Sequence, residues 1–165
     1  MHVQVRPFRA EDIEQALGLM RALAKFEGYF DAFRVTKEAI EDRGLGPSPD
    51  FGMLVVDADV RIVGIAVHYT LPWTYDLRPT LVLKELFVLP EFRSVGAGRR
   101  LFEGVVSVAQ RIGAPRLVWQ VLPDNAHAKK FYSSLCGRPE DKWESWKMDI
   151  PSGPGGILVD AGERH

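Results

Sequence analysis

The residues from Val88 to Arg100 read Val-Leu-Pro-Glu-Phe-Arg-Ser-Val-Gly-Ala-Gly-Arg-Arg and pass from an apolar run into a helical one. Gly96 and Gly98 let the backbone turn tightly and approach a ligand closely. The first N–H groups of the helix that follows have no partner inside it, and the helix dipole puts partial positive charge at that end. Arg93, Arg99 and Arg100 add full charges around the same point. The chemistry such a turn supports is anion binding, phosphate above all. A Walker loop is excluded, because no Gly-Lys-Ser or Gly-Lys-Thr follows the glycines. The dinucleotide fingerprint also fits poorly. Its third small position is Leu101 here, and Ala114-Pro-Arg-Leu-Val118 supplies no acid where a ribose contact is needed.

Regular elements must position that turn. His2 to Arg6 alternates apolar and polar residues, as a half-buried strand does. Ile13, Ala16, Leu17, Met20, Leu23 and Ala24 then recur at helical spacing behind acidic Glu11, Asp12 and Glu14, and Gly28 ends the helix. Thr36 is placed to cap a short helix through about Asp42, stopped by Gly44-Leu-Gly46. Met53 to Ala58 and Arg61 to Tyr69 flank the turn Asp57-Ala-Asp-Val60 and predict a hairpin. Leu81 to Leu89 is a further apolar strand, closed by Pro90. A helix from about Ala97 to Ile112 follows, with Leu101, Val105, Val108 and Ile112 on one side and Gly113 at its end. Leu117 to Val121 reads as a buried strand, Asn125 to about Ser134 as a short helix, and Trp143 to Ile150 as a last strand. This order predicts an α/β fold, a mixed central sheet with helices on both faces. Residues 1–150 form the expected domain, and Pro/Gly-rich 151–165 the expected mobile tail.

Composition bounds the function. The chain has 165 residues, 26% charged and 46% hydrophobic, as in ordinary globular domains. Lys plus Arg is 21 and Asp plus Glu is 22, a net charge of −1, without the basic excess of a dedicated nucleic-acid binder. No apolar run approaches the roughly 18 to 20 residues that span a bilayer, so no membrane partner is expected. Met1 to Asp12 is charged throughout and lacks a signal-peptide core. One cysteine, Cys136, forms no internal disulfide, and a cytoplasmic protein is expected.

The pattern Arg93-x-x-Gly96-x-Gly98 resembles the acyl-CoA signature of the GNAT N-acetyltransferase family. Leu81 to Leu89 resembles the family's fourth strand. Asn125-Ala-His-Ala-Lys-Lys-Phe-Tyr132, followed by Leu135, resembles its Asn-x-x-Ala-x-x-Phe-Tyr helix. The resemblance covers residues 3 to about 150 and is greatest to the diamine (spermidine/spermine) and thialysine acetyltransferases. Leu23-Ala-Lys-Phe-Glu27, Leu83-Lys-Glu-Leu-Phe-Val88 and Trp143-Glu-Ser-Trp146 all echo that group. It implies the GNAT fold, with acetyl-CoA in a cleft between the fourth and fifth strands, no metal, and a homodimer.

Site roles follow from the resemblance. Backbone groups of Leu86, Phe87 and Val88 would hold the thioester and pantetheine. Ser94, Val95, Gly96, Ala97, Gly98 and Arg99, beside Arg93, would hold the pyrophosphate; Ser94 stands where these relatives usually have glycine. Asn125 and Ala128 would meet the pantetheine arm. Lys129, Lys130 and Arg100 would offset the negative charge of CoA, the two lysines being equally readable as a solvated helix face. Tyr132, seven residues and two helical turns beyond Asn125, shares its face and would protonate the departing thiolate. A phenol near pKa 10 keeps its proton at neutral pH, as that role requires. The amine must be deprotonated to attack, and Glu85 aligns with an acidic family position that could take the proton, directly or through water. Strand alternation leaves a second reading open, with Glu85 facing away in a structural ion pair. Phe26, Glu27 and Glu144 match substrate-binding positions of the polyamine group. Lys84 departs from them: the polyamine enzymes carry an acid there, and a lysine opposes a second ammonium.

Three function classes remain open: acetylation of a small-molecule amine, acetylation of a protein lysine or N-terminus, and CoA binding without turnover. Cys136 reads as a small buried hydrophobe. His68 and His127 read as packing residues without metal-ligand spacing. Trp73 and Tyr75 lie in the loop before the fourth strand, where they would line the amine pocket or a dimer contact.

Overall fold

The computed structural model describes residues 3–59 and 61–150. Two compact units divide the chain, the first ending at Gln120 and the second beginning at Val121. The expected tail at 151–165 lies outside the described residues.

The first unit is built on a five-stranded sheet of order β1 (Val3–Pro7), β2 (Gly52–Ala58), β3 (Arg61–Leu71), β4 (Thr80–Val88) and β5 (Arg116–Val118). Neighbours are antiparallel except β4 and β5, which are parallel. The expected pairing of β2 with β3 forms, with Ala58 opposite Arg61, while Val60 of the expected turn lies outside the described residues.

Helices cover both faces, and the side-chain period of two sorts the residues between them. Helix α1 (Ile13–Glu27) buries Ile13, Ala16, Leu17, Met20 and Leu23 in one cluster with Met53, Val55, Ile65, Val67 and Phe87. Helix α3 (Ala97–Arg111) takes the opposite face, where Leu54 points. At Gly104 an added Cβ would come within 2.9 Å of Leu54 Cδ1 and 3.1 Å of Val5 Cγ1, so glycine lets this helix lie close on the sheet. Fully buried Ile65, Val55, Leu101 and Val105 each contribute roughly 1.5–3 kcal/mol of apolar burial. Ile112, expected on the buried side of α3, falls at its C-cap and is exposed.

The short α2 (Lys37–Leu45) is capped by Thr36, whose Oγ1 accepts from Ala39 N–H at 3.2 Å. The start of α1 is tied to the sheet by buried Asp12. Its carboxylate accepts from Arg6 Nη1 at 2.6 Å, Arg6 Nη2 at 2.9 Å and Arg9 N–H at 2.8 Å. The Arg6 guanidinium holds that carboxyl below the usual carboxylate range.

Two expectations are corrected. The strand expected to be buried over Leu117–Val121 is a three-residue edge strand, half-buried at most, because among the described residues β4 is its only ladder partner. The last strand expected at Trp143 to Ile150 does not form. Its apolar residues Trp143, Trp146, Met148 and Ile150 are all exposed, so neither a ladder nor apolar cover stabilises an extended run. In the second unit the regular element among the described residues is α4 (Ala126–Ser133), capped by Asn125.

Candidate active site

Strand β4 outruns the three-residue β5. Their pairing covers only Thr80–Val82, so Leu83–Val88 run on without a β5 partner. Leu89 N–H donates to Val63 O at 2.9 Å, and this sets the alternation of peptide groups along the end of β4. Phe87 and Leu89 direct theirs to β3, while Leu86 and Val88 direct theirs to the open edge. Val88 O accepts there from Arg93 Nε at 2.9 Å. Of the three residues expected to hold the acyl donor, Leu86 and Val88 therefore offer backbone groups. Phe87 is buried on the α1 face, with its peptide groups in the β3 ladder.

Pro90–Val95 forms a short 3-10 turn from the end of β4 into Gly96, whose φ of 79° is left-handed. Nothing lies within 4 Å of a Cβ added there, so it is the backbone angle and not space that calls for glycine. The first turn of α3, through Ala97, Gly98 and Arg99, carries no acid and Gly96 provides no side-chain cap, leaving its N–H groups for an anion. Ser94 and Val95 are exposed beside it. Arg93 is braced at this corner, its guanidinium 5.8 Å from the Phe87 ring and 6.0 Å from the ring of exposed Phe26. Arg99 pairs with Glu103 at 3.8 Å. Arg100, expected to face the CoA charge, instead donates through Nη1 to Val3 O at 2.7 Å and fastens α3 to β1.

A bulge on β4 decides where Glu85 points. Val67 is opposite Glu85 and His68 opposite Leu83, so Lys84 is the extra residue. The bulge resets the alternation and places Glu85 beside Val67 on the α1 face. The alternative of a structural ion pair does not apply: Glu85 forms no ion pair among the described residues. Its Oε2 is buried without a hydrogen-bond partner there. Burial pushes its carboxyl above the ordinary range, Lys84 pulls it down, and Glu27 pushes it up again. Glu27 itself is shifted upward by burial and pulled down by Lys84. Tyr29, half-buried next to α1, has its phenol pushed up to about 12 by burial and then by Glu85 and Glu27. Glu27, Tyr29, Lys84 and Glu85 thus share one electrostatic field. Tyr29 was not singled out from the sequence, and a loop tyrosine carries no signal there.

On the same face lies a cavity of about 530 Å³, with Val67 and Lys84 among its lining residues. Val35, Phe51 and Tyr69 supply its accessible apolar surface, over buried Met20, Ile40 and Val67.

In the second unit, Asn125 Oδ1 accepts from Ala128 N–H at 3.0 Å and caps α4. Tyr132 is half-buried on that helix, its ring 5.1 Å from that of Phe131. Lys129 Nζ donates to Pro123 O. Glu144 is exposed in a stretch without regular structure. Cys136, expected to be buried, is an exposed free thiol at a φ of 66°. Among the described residues no group of three or more His, Cys, Asp or Glu could hold a metal ion, and no helix is long and apolar enough to cross a membrane.

This strand, turn and helix arrangement meets independent comparisons. Residues 16–137 match the model of the Acetyltransferase (GNAT) family. The chain belongs to that family of N-acetyltransferases. It is 28% identical over 152 residues to the thialysine N-epsilon-acetyltransferase of Bos taurus, covering 87% of this chain and 89% of the relative. Among solved structures, an aminoglycoside acetyltransferase from an uncultured soil sample superposes with a TM-score of 0.76 at 17% identity, over 90% of this chain and 97% of the other. An aminoglycoside N-acetyltransferase in complex with CoA superposes with a TM-score of 0.66 at 19% identity, over 90% and 100%. These structural likenesses establish the fold.

Proposed function

We propose that this chain transfers the acetyl group of acetyl-CoA directly to the primary amine of a small molecule, diamine- or thialysine-like. The observation that carries the reading is Glu85. A carboxylate with a raised pKa and a buried oxygen that has no hydrogen-bond partner among the described residues stands one residue before the peptide groups that β4 turns to its open edge. The curated relatives named for thialysine support a small amine as the acceptor.

When bound, acetyl-CoA would supply the activated acetyl thioester. The residues fit it: an open strand edge for the amide-rich arm, then an acid-free helix N-terminus behind a left-handed glycine for the phosphates. Val88 and Leu86 would hold the arm and polarise the thioester carbonyl through backbone N–H. The turn from Arg93 to Arg99 would take the pyrophosphate. Glu85 would accept the proton of the attacking ammonium, directly or through water, so that a neutral amine meets the carbonyl carbon. On the family resemblance, Asn125 and Ala128 would meet the arm, and Tyr132 would return a proton to the thiolate as the C–S bond breaks. Phe26, Glu27, Lys84 and Glu144 would face the amine.

The test is free-thiol release from acetyl-CoA across thialysine, lysine, spermidine, putrescine and a lysine peptide. Release that depends on a small amine supports the reading. Release with the peptide alone would transfer it to protein acetylation, and CoA binding without any release would make the chain a binding module. The protein is proposed to work as a cytoplasmic homodimer, to which exposed Trp73, Tyr75 and Leu77 offer an apolar surface.

A further inference from the structure

The cavity lined by Lys84 and Val67, the chain neighbour and the cross-strand partner of Glu85, has an unexpected charge. Its charged lining residues are Arg34, Arg43, Lys84 and Asp50, three cations against one carboxylate, with the phenol of Tyr69 beside them. Asp50 lies 3.9 Å from Arg43 and answers only that charge. Arg34 is positioned from behind, its Nη1 donating to the carbonyls of Asp31 at 2.8 Å and Phe33 at 2.9 Å, and pairs with no carboxylate among the described residues. Lys84 likewise forms no ion pair there, though Glu27 and Glu85 feel its charge. A second ammonium group would meet like charge in this cavity. A carboxylate would find charge-assisted donors, bidentate at an arginine.

We propose that this cavity recognises the carboxylate of an amino-acid acceptor through Arg34 and Lys84. The accessible apolar lining of Val35, Phe51 and Tyr69 takes the aliphatic chain, and the side-chain amine is delivered past Lys84 to Glu85. Lys84 joins the two ends, because it lines the cavity and is the bulged residue next to Glu85. This assignment deepens the amine-acetyltransferase reading and rests on it. It makes Arg34, a loop residue outside every motif of the family resemblance, a determinant of specificity.

L-Lysine and cadaverine carry the same amine chain and differ only by the carboxylate. Their binding to CoA-saturated protein is measured by calorimetry, with free-thiol release from acetyl-CoA measured in parallel. L-Lysine is expected to bind at least about tenfold tighter, the range of a hydrogen-bonded ion pair. Arg34→Gln is expected to bring the two affinities within about threefold, and Arg34→Lys to restore part of the ratio. Equal affinities, tighter cadaverine, or binding of neither would overturn the subsite, and a ratio that survives Arg34→Gln would overturn the role of Arg34. Tighter lysine binding without thiol release would uphold the subsite and defeat the acetyl-transfer reading. Release at equal kcat/KM for both amines would do the reverse.

Discussion

Replacing Glu85 with Gln keeps the shape of the side chain and removes its ability to take a proton. Loss of a positioned general base costs about 10²–10⁴ in turnover. Glu85 is only half-buried, and the carboxylate of Glu27 is close enough to be felt, so water and a neighbouring acid remain to substitute in part. The lower end, about 10²-fold in kcat, is therefore expected. The pH profile gives a second readout. Burial raises the Glu85 carboxyl, so the acidic limb of kcat/KM is expected above the ordinary carboxylate range near 4.3, and is expected to vanish in Glu85→Gln. A limb set by the amine's own pKa stays in place. Stability moves the other way. The folded chain holds the Glu85 proton at pH values where the unfolded chain has lost it, so this group's contribution is full below the unfolded pKa and is lost as pH rises through the raised one. Glu85→Gln cannot ionise, and its melting temperature at neutral pH should be no lower than that of the unaltered protein. Turnover within threefold of the unaltered enzyme, with the limb unmoved, would refute the base. A melting temperature several degrees lower would mark Glu85 as structural instead.

Lys84→Gln removes a charge that lowers the Glu85 carboxyl, so the acidic limb of kcat/KM should move to higher pH; an unmoved limb would separate Lys84 from the base. Tyr132→Phe should cut kcat by about 10²-fold while CoA affinity, read by calorimetry, holds; equal turnover would remove the phenol from the mechanism. Gly96→Ala must adopt a φ of 79° with a Cβ, at a cost of about 1–2 kcal/mol. Calorimetry should show a melting temperature lower by several degrees, and CoA titration a weaker affinity; an unchanged affinity would detach the turn from the phosphates.

Much of this site could be read along the chain because its signals are local. The αL turn at Gly96 and the acid-free start of α3 follow from residues within a few positions of one another. The hairpin partners Ala58 and Arg61 sit beside their own turn. Positions that depend on distant partners were less legible. A one-residue bulge at Lys84 has no signature in the alternation of Leu81 to Leu89, yet it sets the face on which Glu85 lies. Trp143 to Ile150 alternates like a strand, but a strand also needs a ladder, and no spacing shows whether one is available. Arg100 carries the same charge as its neighbours in the motif, and only the fold reveals that Val3 O occupies it. Arg34 and Tyr29 lie in the connection between α1 and α2, where residue type alone does not reveal a cavity or a shared field.

The central claim is that Glu85 and the open edge of β4 serve acetyl transfer to a small amine. The most direct measurement is the rate of free-thiol release from acetyl-CoA at neutral pH with thialysine present and absent, using the full chain and its Glu85→Gln variant. The account predicts release that requires the amine and falls about 10²-fold in the variant. Release that ignores the amine, or that Glu85→Gln leaves unchanged, would contradict it.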